Sequence, residues 1–506
     1  MHERYLIGVD LGTSATKAAV YRPDGTLLAE AVIEVPLYHP RPGVVEQEND
    51  DFYRSAASAV RNCLAASGID PRRVAAIAFD SQMAGVGAVD EQFRPAIRFD
   101  SWLDMRCQPY IEGLESHAAL ITQLTGCPPT CDHGPKIMWW KEERPADYAN
   151  IAKFVMPAGY VSATMAGLAP DQAFIDHTFI HFSALCDART GVWSPELCAI
   201  LGVDAGKLPR IVEPWNLIGE VRTQAAADFG LAPGTPIAAG AGDTAAGALG
   251  AGIVQPGMLL DTAGTASVLA ACTDHFVADV NERALLTMRS VIPGQWLPLA
   301  YIGGGGLALR WYRDQFFALG EESYERMIAA AERVPPGAEG LFFSPHMGGR
   351  ICPAAPEMRG AWIGFSWRHT QAHFMRAMLE SIAFEYAYYL RILRALIPDL
   401  PLVEARAIGG GARSDPWNQI KADVLGVPYQ RLERSEFATW GAALIAGHAV
   451  GLYPDLASAA DEVARRRGAL IAPRSEMTAA YAPLAARYAS WQRTLAVAFR
   501  TQSAHR

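Results

Sequence analysis

One hairpin pattern occurs twice in this chain, and it limits the available folds more than any other feature. Tyr5 to Val9 is an apolar run that ends on Asp10, a turn carries Gly12, Thr13 and Ser14, and Ala18 to Tyr21 resumes an extended pattern. In the second half, Met258 to Asp261 and Ser267 to Cys272 are joined by Thr262, Ala263, Gly264, Thr265 and Ala266. Each copy is an apolar strand closing on Asp, a Gly-Thr turn with a small residue, and a returning strand. A further turn at Pro23, Asp24 and Gly25 sends the chain back through Thr26 to Val35, so the opening is an antiparallel meander and not a βαβ unit. With 506 residues, half of them hydrophobic, more than one core can be buried, and two large domains are expected.

The intervening segments alternate helix and strand. Asp50 to Ala66 has helical spacing, with Phe52, Ala56, Ala59, Val60 and Cys63 on one face, and Val74 to Phe79 follows as a short buried strand. Thr235 to Ala239 is a strand running into Gly240, Gly242 and Asp243, and Thr244 to Gly252 is a small-residue helix. Ala372 to Leu396 reads as a long core helix stopped by Pro398 and Pro401. A strand from Leu402 to Ile408, a helix from Asp415 to Leu425 and a strand near Tyr429 follow, and the tail beyond Pro454 reads as helical, with Arg465, Arg466 and Arg467 on a solvated face.

The chain carries 44 basic and 53 acidic residues, a formal charge of −9, which argues against a general electrostatic grip on nucleic acid or an anionic membrane. No window reaches the roughly 20 apolar residues of a membrane span, and Met1 to Arg4 lead directly into a strand, so a cytoplasmic protein without a signal peptide is expected. The eight cysteines form no C-x-x-C pairs; Cys127 and Cys131 lie near Asp132 and His133, but no second pair or histidine cluster completes a metal-ligand set. Reduced thiols are expected.

No G-x-x-x-x-G-K-[ST] sequence occurs, so phosphates need another cradle. The Asp10 to Lys17 loop can provide one: Gly12 admits close backbone approach, Thr13 and Ser14 add donors, and Lys17 adds a point charge. The Gly264 to Ser267 loop is its counterpart, and Asp10 is a hard oxygen ligand suited to Mg²⁺ or, equally, a cap for its own turn. Gly409, Gly410, Gly411 and Ala412 after an apolar strand can bring backbone against a nucleoside, and Gly303 to Gly306 forms a fourth cluster before a helix starting near Leu307.

Asp243, in Gly242-Asp-Thr-Ala-Ala-Gly247, is compatible both with a helix N-cap and with a general base accepting the proton of an attacking hydroxyl. Trp102, Asp104 and Arg106 alternate, so in an extended segment they face one side and offer an aromatic face, a carboxylate and a guanidinium to a polyhydroxylated ligand. Asp104 and Arg106 are equally suited to pair with each other. Gln82 and Met83 form a second candidate wall.

These motifs together resemble the FGGY carbohydrate kinases, and within them the xylulokinase-type branch. The resemblance spans nearly the whole chain and rests on Asp10-Leu-Gly-Thr-Ser14 with Lys17, Ser81-Gln-Met-Ala-Gly85, Trp102-Leu-Asp-Met-Arg106, Pro135-Lys-Ile-Met-Trp139, Gly242-Asp-Thr-Ala-Ala-Gly247, Gly264-Thr-Ala266 and Ile408-Gly-Gly-Gly-Ala-Arg-Ser414. It implies two ribonuclease H-like α/β domains of the actin, Hsp70 and sugar-kinase type, residues 1–250 and 251–506, with a central nucleotide and sugar cleft that closes on substrate. It implies ATP-dependent phosphorylation of a sugar or polyol hydroxyl, a ketopentose such as D-xylulose leading the candidates ahead of ribulose, glycerol or erythritol. By the same resemblance Asp243 is the base and Asp10 helps hold Mg²⁺. Thr13, Ser14, Lys17, Gly264 and Thr265 face the phosphates, Gly410, Gly411 and Ala412 line the adenosine, and Gly12 and Gly306 join the ATP-binding set.

Departures fall where substrate is chosen. Ala84 and Thr244 stand where xylulokinases typically carry His and Asn, and Asp132 and His133 stand where small or hydroxyl residues are common, making them candidate replacement sugar contacts beside Gln82, Met83, Trp102, Asp104 and Arg106. Expected partners are a small sugar or polyol and a second copy of the chain in a homodimer, with no nucleic acid and no membrane. A non-catalytic actin-like protein, or a kinase degenerated into a sugar sensor, would share this fold; Asp243 speaks against the first, and sugar-independent ATPase activity would mark the second.

Overall fold

The computed structural model describes residues 4–317, 322–432, 434, 436–464 and 467–503. The chain forms two compact units. One comprises Met1–Val254, Thr287–Trp296 and Glu436–Arg465, and the other Gln255–Leu286, Leu297–Ser435 and Arg466–Arg506.

In the first unit the central sheet runs in the order Leu217–Glu220, Pro236–Ala238, Val74–Ser81, Tyr5–Leu11, Ala15–Tyr21, Leu27–Glu34. The meander expected at the start is present: Tyr5–Leu11 and Ala15–Tyr21 are antiparallel with Asp10 opposite Lys17, and Leu27–Glu34 continues the ladder. Tyr5–Leu11 then pairs in parallel with Val74–Ser81. The helix Asn49–Ser67 covers this sheet through the expected face, Phe52, Ala56, Ala59, Val60 and Cys63 all being buried. Tyr5–Leu11 is apolar on both sides because helices pack on both, and the second cover is Phe437–Ala449.

Phe437–Ala449 also meets Asp243–Gly250 almost backbone to backbone. A Cβ at Gly441 would lie 1.9 Å from the Ala246 carbonyl oxygen, and one at Gly250 would lie 2.0 Å from that of Phe437. Only glycine fits there, and the approach sets where the helix carrying Asp243 begins.

The second unit repeats the arrangement. Its strands run Trp296–Ile302, Ser267–Ala271, Met258–Ala263, Glu404–Ile408, Tyr429–Leu432, Arg467–Ile471. The pairings from the first hairpin outward are antiparallel, antiparallel, parallel, parallel, antiparallel, the same series as in the first unit. The long helix Gln371–Leu396 is buried almost throughout from Met375 to Leu393 and anchors the core.

The tail differs from its helical expectation. Leu456–Ala464 and Ser475–Ser503 are helices, but Arg467–Ile471 is an edge strand pairing Gln430 with Leu470. Five residues at a sheet edge carry too short a pattern to separate strand from helix. Arg465 and Arg466 lie outside the described residues. Among the described residues no helix is long and apolar enough to cross a membrane.

Candidate active site

The sheet of the first unit brings three carboxylates together. Asp10 stands opposite Asp80 in the parallel ladder, and the two-residue strand Ala241–Gly242 pairs with Asp80 and Ser81, which delivers Asp243 to the same carboxyl end of the sheet. Asp80 was not singled out from sequence. Its signal was an apolar strand ending on Asp, the pattern that marked Asp10, and only the strand register shows that the two are neighbours.

The trio is electrostatically strained. Burial, with Asp243 adding to it and Lys17 opposing, lifts the Asp10 carboxyl to about 7. Burial, then Asp10 and Asp243, lift Asp80 well above the usual carboxylate range. Neither Asp80 oxygen has a hydrogen-bond partner among the described residues, and the like charges of Asp10 and Asp243 beside it oppose its ionisation. Burial raises Asp243 to about 6, resisted by the Thr244 hydroxyl and N–H, which both donate to its Oδ1.

The helix N-cap is Gly242 and not Asp243, which occupies the first helical position. The Gly242 N–H donates to the Thr178 hydroxyl at 2.8 Å, and Thr178 in turn donates to buried Asp176 at 2.6 Å. This relay holds the strand end that presents Asp243. Lys17 pairs with Glu436 at 3.3 Å; burial works against its charge, but Glu436 and Asp10 outweigh burial and raise its titration point.

A hydrogen-bonded wall adjoins the first loop. Trp102 Nε1 donates to the Thr13 hydroxyl at 2.9 Å, Thr13 donates to Gln82 Oε1 at 3.3 Å, and Gln82 donates to Gln47 at 2.7 Å. Gln47, also absent from the sequence expectation, closes the ring by donating to the Thr13 carbonyl. Gly12 is held by the Ala15 carbonyl and Ser14 is exposed at the tip. Met83 packs its thioether against Gly242, where a Cβ would lie 2.6 Å from the Met83 methyl carbon. Ala84 follows with a left-handed φ of 58°.

The expected extended alternation of Trp102, Asp104 and Arg106 is not formed. The segment is a run of turns, because the Asp104 N–H bonds the Ser101 carbonyl and the Asp104 carboxylate accepts from the Val45 and Arg106 N–H groups. Arg106 pairs with Asp104, Asp100 and Glu46 at 3.0, 2.5 and 2.9 Å and lies over the Trp139 ring. Asp104 and Arg106 are therefore engaged with protein partners and brace the turn that aims Trp102.

Asp132 and His133 open the helix His133–Glu143 and are buried; both Asp132 carboxylate oxygens and His133 Nε2 have no hydrogen-bond partner among the described residues. His181, in the turn Ile180–Ser183, is buried with both ring nitrogens in the same condition. Burial, then Lys136, lowers His133 to about 3, and burial, then His133, lowers His181 to about 3, so both rings are neutral. Burial and the Cys131 sulfur raise Asp132 well above its ordinary value. Unmatched polar groups of this kind each cost about 1–3 kcal/mol, and a polyhydroxylated ligand matches their chemistry. Among the described residues no group of three or more His, Cys, Asp or Glu side chains forms a complete metal-ligand set.

In the second unit three glycine clusters, separate in sequence, converge on one loop. The Gly264 N–H bonds the Ala266 carbonyl, while the Gly306 and Leu307 N–H groups bond the carbonyls of Gly264 and Thr265 at 3.0 and 2.9 Å. A Cβ at Gly306 would lie 2.3 Å from the Gly264 oxygen. Gly409, at φ 85°, approaches the Ala263 carbonyl, Gly411 packs on Trp417, and buried Ala412 is held by Asn418. Gly410 alone of this group has open space where a side chain would go, and Thr265 is exposed. The N-terminus of the helix Gly305–Phe316 is thus seated on the loop.

The models of the FGGY family of carbohydrate kinases match the chain twice, the N-terminal domain over residues 5–250 and the C-terminal domain over 260–450. The chain is 28% identical to the xylulose kinase of Bacillus subtilis, over 95% of each protein. It is 27% identical to the gluconokinase of Bacillus licheniformis, over 88% of each. The solved structure of xylulose kinase from Rhodospirillum rubrum superimposes with a TM-score of 0.88 at 26% identity, covering 98% of this chain and all of that one.

Proposed function

We propose, for a chain that belongs to the FGGY family of carbohydrate kinases and so transfers phosphate from ATP to a sugar, that the acceptor is a ketopentose of the xylulose class and that Asp243 removes the proton of the attacking hydroxyl. The observation that carries this reading is the placement of Asp243: it sits beside Asp10 and Asp80 at the carboxyl end of the sheet and is not the helix cap. With Asp243 titrating at about 6, the ionised form that a base requires predominates at neutral pH.

Asp10 and Asp80 fit a hard divalent cation such as Mg²⁺, because the Asp80 oxygens are buried with no cationic donor facing them and an ion that keeps most of its waters needs few protein ligands. When bound, Mg²⁺ would supply charge neutralisation to the phosphate oxygens. The chain's own groups support the remainder of the reading. Thr13 and Ser14 offer backbone N–H groups, Ser14 its hydroxyl and Lys17 its ammonium to phosphate, while Gly12 is tied to the Ala15 carbonyl and the Thr13 hydroxyl to Gln82. In the second unit Gly264, Thr265 and Gly306 form one seated loop, and Gly410 offers open, side-chain-free backbone to adenosine, with Gly411 and Ala412 backing it against Trp417 and Asn418. Gln82, Met83, Trp102 and Thr244 would orient the sugar, joined by the unmatched polar groups of Asp132, His133 and His181; Asp104 and Arg106 are positioning residues for Trp102.

The test is ADP release from Mg-ATP across ketopentoses, aldoses, polyols and gluconate, run beside Asp243→Asn. Turnover on xylulose that falls by about 10²–10⁴-fold in the variant, the range of a lost general base, is the expected result. Turnover on gluconate or a polyol instead would move the substrate assignment while keeping the base. ATP binding without turnover on any acceptor would overturn both.

A further inference from the structure

Two cysteines meet beside the Trp102 turn. Cys107 caps the short helix Gln108–Gly113, Cys131 precedes the helix His133–Glu143, and their sulfurs lie 3.4 Å apart. Of the eight cysteines, Cys131 is the one that is not buried. Its thiol donates to the Asp104 carbonyl at 2.6 Å, and its sulfur also faces the Lys136 ammonium at 3.4 Å. Lys136 is buried and donates to the Ser101 and Asp104 carbonyls at 2.9 and 2.8 Å. Cys131 is thus the hinge pin between the turn that aims Trp102 and the helix start that carries Asp132 and His133.

We propose that Cys107 and Cys131 are a reversible disulfide-forming pair, closed by a peroxide, that acts on the kinase through the Trp102 turn. The sulfurs need to close by about 1.4 Å to reach the ~2.05 Å of a disulfide, which small rotations of both side chains can supply. Geometry also assigns the order. Cys131, the less buried residue of the two, has its sulfur beside the Lys136 ammonium, and the Cys107 thiol, then Lys136, lowers its titration point to about 6 against opposing burial, whereas the hydrogen bond to Cys131 and burial raise that of Cys107.

Cys131 thiolate attacks one peroxide oxygen and hydroxide departs, leaving a sulfenic acid. The Cys107 sulfur then attacks the Cys131 sulfur, its proton leaves with the sulfenic hydroxyl as water, and the S–S bond forms. The two sulfurs lose two electrons in total, and the peroxide, with the protons of both thiols, becomes two waters. In the oxidised form the Cys131 sulfur is bonded to Cys107 and drawn away from the Asp104 carbonyl and the Lys136 ammonium, so the Ser101 to Cys107 turn is re-set and Trp102 with it.

The consequence for turnover rests on the sugar-binding role proposed for Trp102; the bond itself does not, and two readouts keep them apart. Full-length protein and Cys107→Ser are exposed to hydrogen peroxide, digested without reductant and analysed by mass spectrometry. A cross-linked peptide joining Cys107 to Cys131, absent in the variant and lost with dithiothreitol, is expected; peroxide consumption that yields only sulfinic acid or other pairings would overturn the pair. In parallel, oxidised wild type is expected to lose about 10-fold or more in kcat/KM for the sugar, recovering with dithiothreitol, while Cys131→Ser, which lacks the attacking sulfur, keeps its kcat/KM under peroxide. Fully cross-linked enzyme with undiminished turnover would overturn the regulatory half. A protein without turnover on any sugar would refute the kinase reading, and the peptide mass would still decide the disulfide.

Discussion

At the scale of single residues, the site is a collection of charges held where they are unstable. The folded Asp10 and Asp243 carboxyls titrate at about 7 and about 6, and Asp80 well above its ordinary value, whereas each would ionise near pH 4 in the unfolded chain. Over the interval from about 4 to 7 the folded protein therefore holds protons that the unfolded chain has released, so stability present below pH 4 is lost as pH rises through that interval. Asp80→Asn removes one of these charges without changing shape. It should raise the apparent melting temperature of the ligand-free protein by about 3 °C or more at pH 8 and by less at pH 5, while lowering turnover; a melting point that is unchanged at pH 8 would show that the trio is not strained. Asp10 and Asp243 were legible in sequence because each sits in a recognisable turn. Asp80 was not, because its partner is 70 positions away and only the parallel register of Tyr5–Leu11 with Val74–Ser81 joins them.

At the scale of elements, close backbone approach does the positioning, and it separates glycines that serve the fold from those that serve a ligand. Gly306→Ala puts a methyl 2.3 Å from the Gly264 oxygen and must displace the helix start from the loop. We expect it to raise KM for ATP by about 10-fold or more and to destabilise the protein by roughly 1–3 kcal/mol. Gly410→Ala meets nothing within 4 Å. It should leave the melting temperature unchanged and raise KM for ATP alone, as measured by thermal denaturation and ATP titration at saturating sugar; unchanged KM would remove Gly410 from the nucleotide surface. The glycine clusters themselves were visible in sequence, but their convergence was not, since hydrogen bonds from Gly306 and Leu307 to Gly264 and Thr265 leave no periodic trace. The Trp102 to Arg106 segment failed for a related reason. Alternation at every second residue describes a strand equally well as an Asp-x-Arg pair folding back on itself, and the local hydrogen bonds of Asp104 decide for the turn.

At the scale of the whole molecule, the chain builds one sheet plan twice and uses the matching aspartates for different ends. The hairpin repeat announced the duplication in the sequence, and the identical series of strand pairings bears it out. What the repeat could not reveal is divergence. Asp10 faces other carboxylates, whereas Asp261 is fully buried with Lys421 at 2.5 Å and the Tyr386 hydroxyl at 2.7 Å, and Lys421 also lies over the Trp417 ring. One copy gathers like charges; the other is a satisfied ion pair inside a core. Removing one member of such a pair leaves a buried charge without compensation and costs about 3–5 kcal/mol. Lys421→Met should therefore lower the melting temperature sharply, while any enzyme that remains folded keeps its KM for sugar. Asp10→Asn should do the reverse, leaving the melting temperature equal or higher and reducing kcat by about 10²-fold or more. Calorimetry and initial rates on the two variants decide the matter together: if both lose stability and neither loses kcat selectively, the two hairpins share a structural role and Asp10 has no part in phosphoryl transfer.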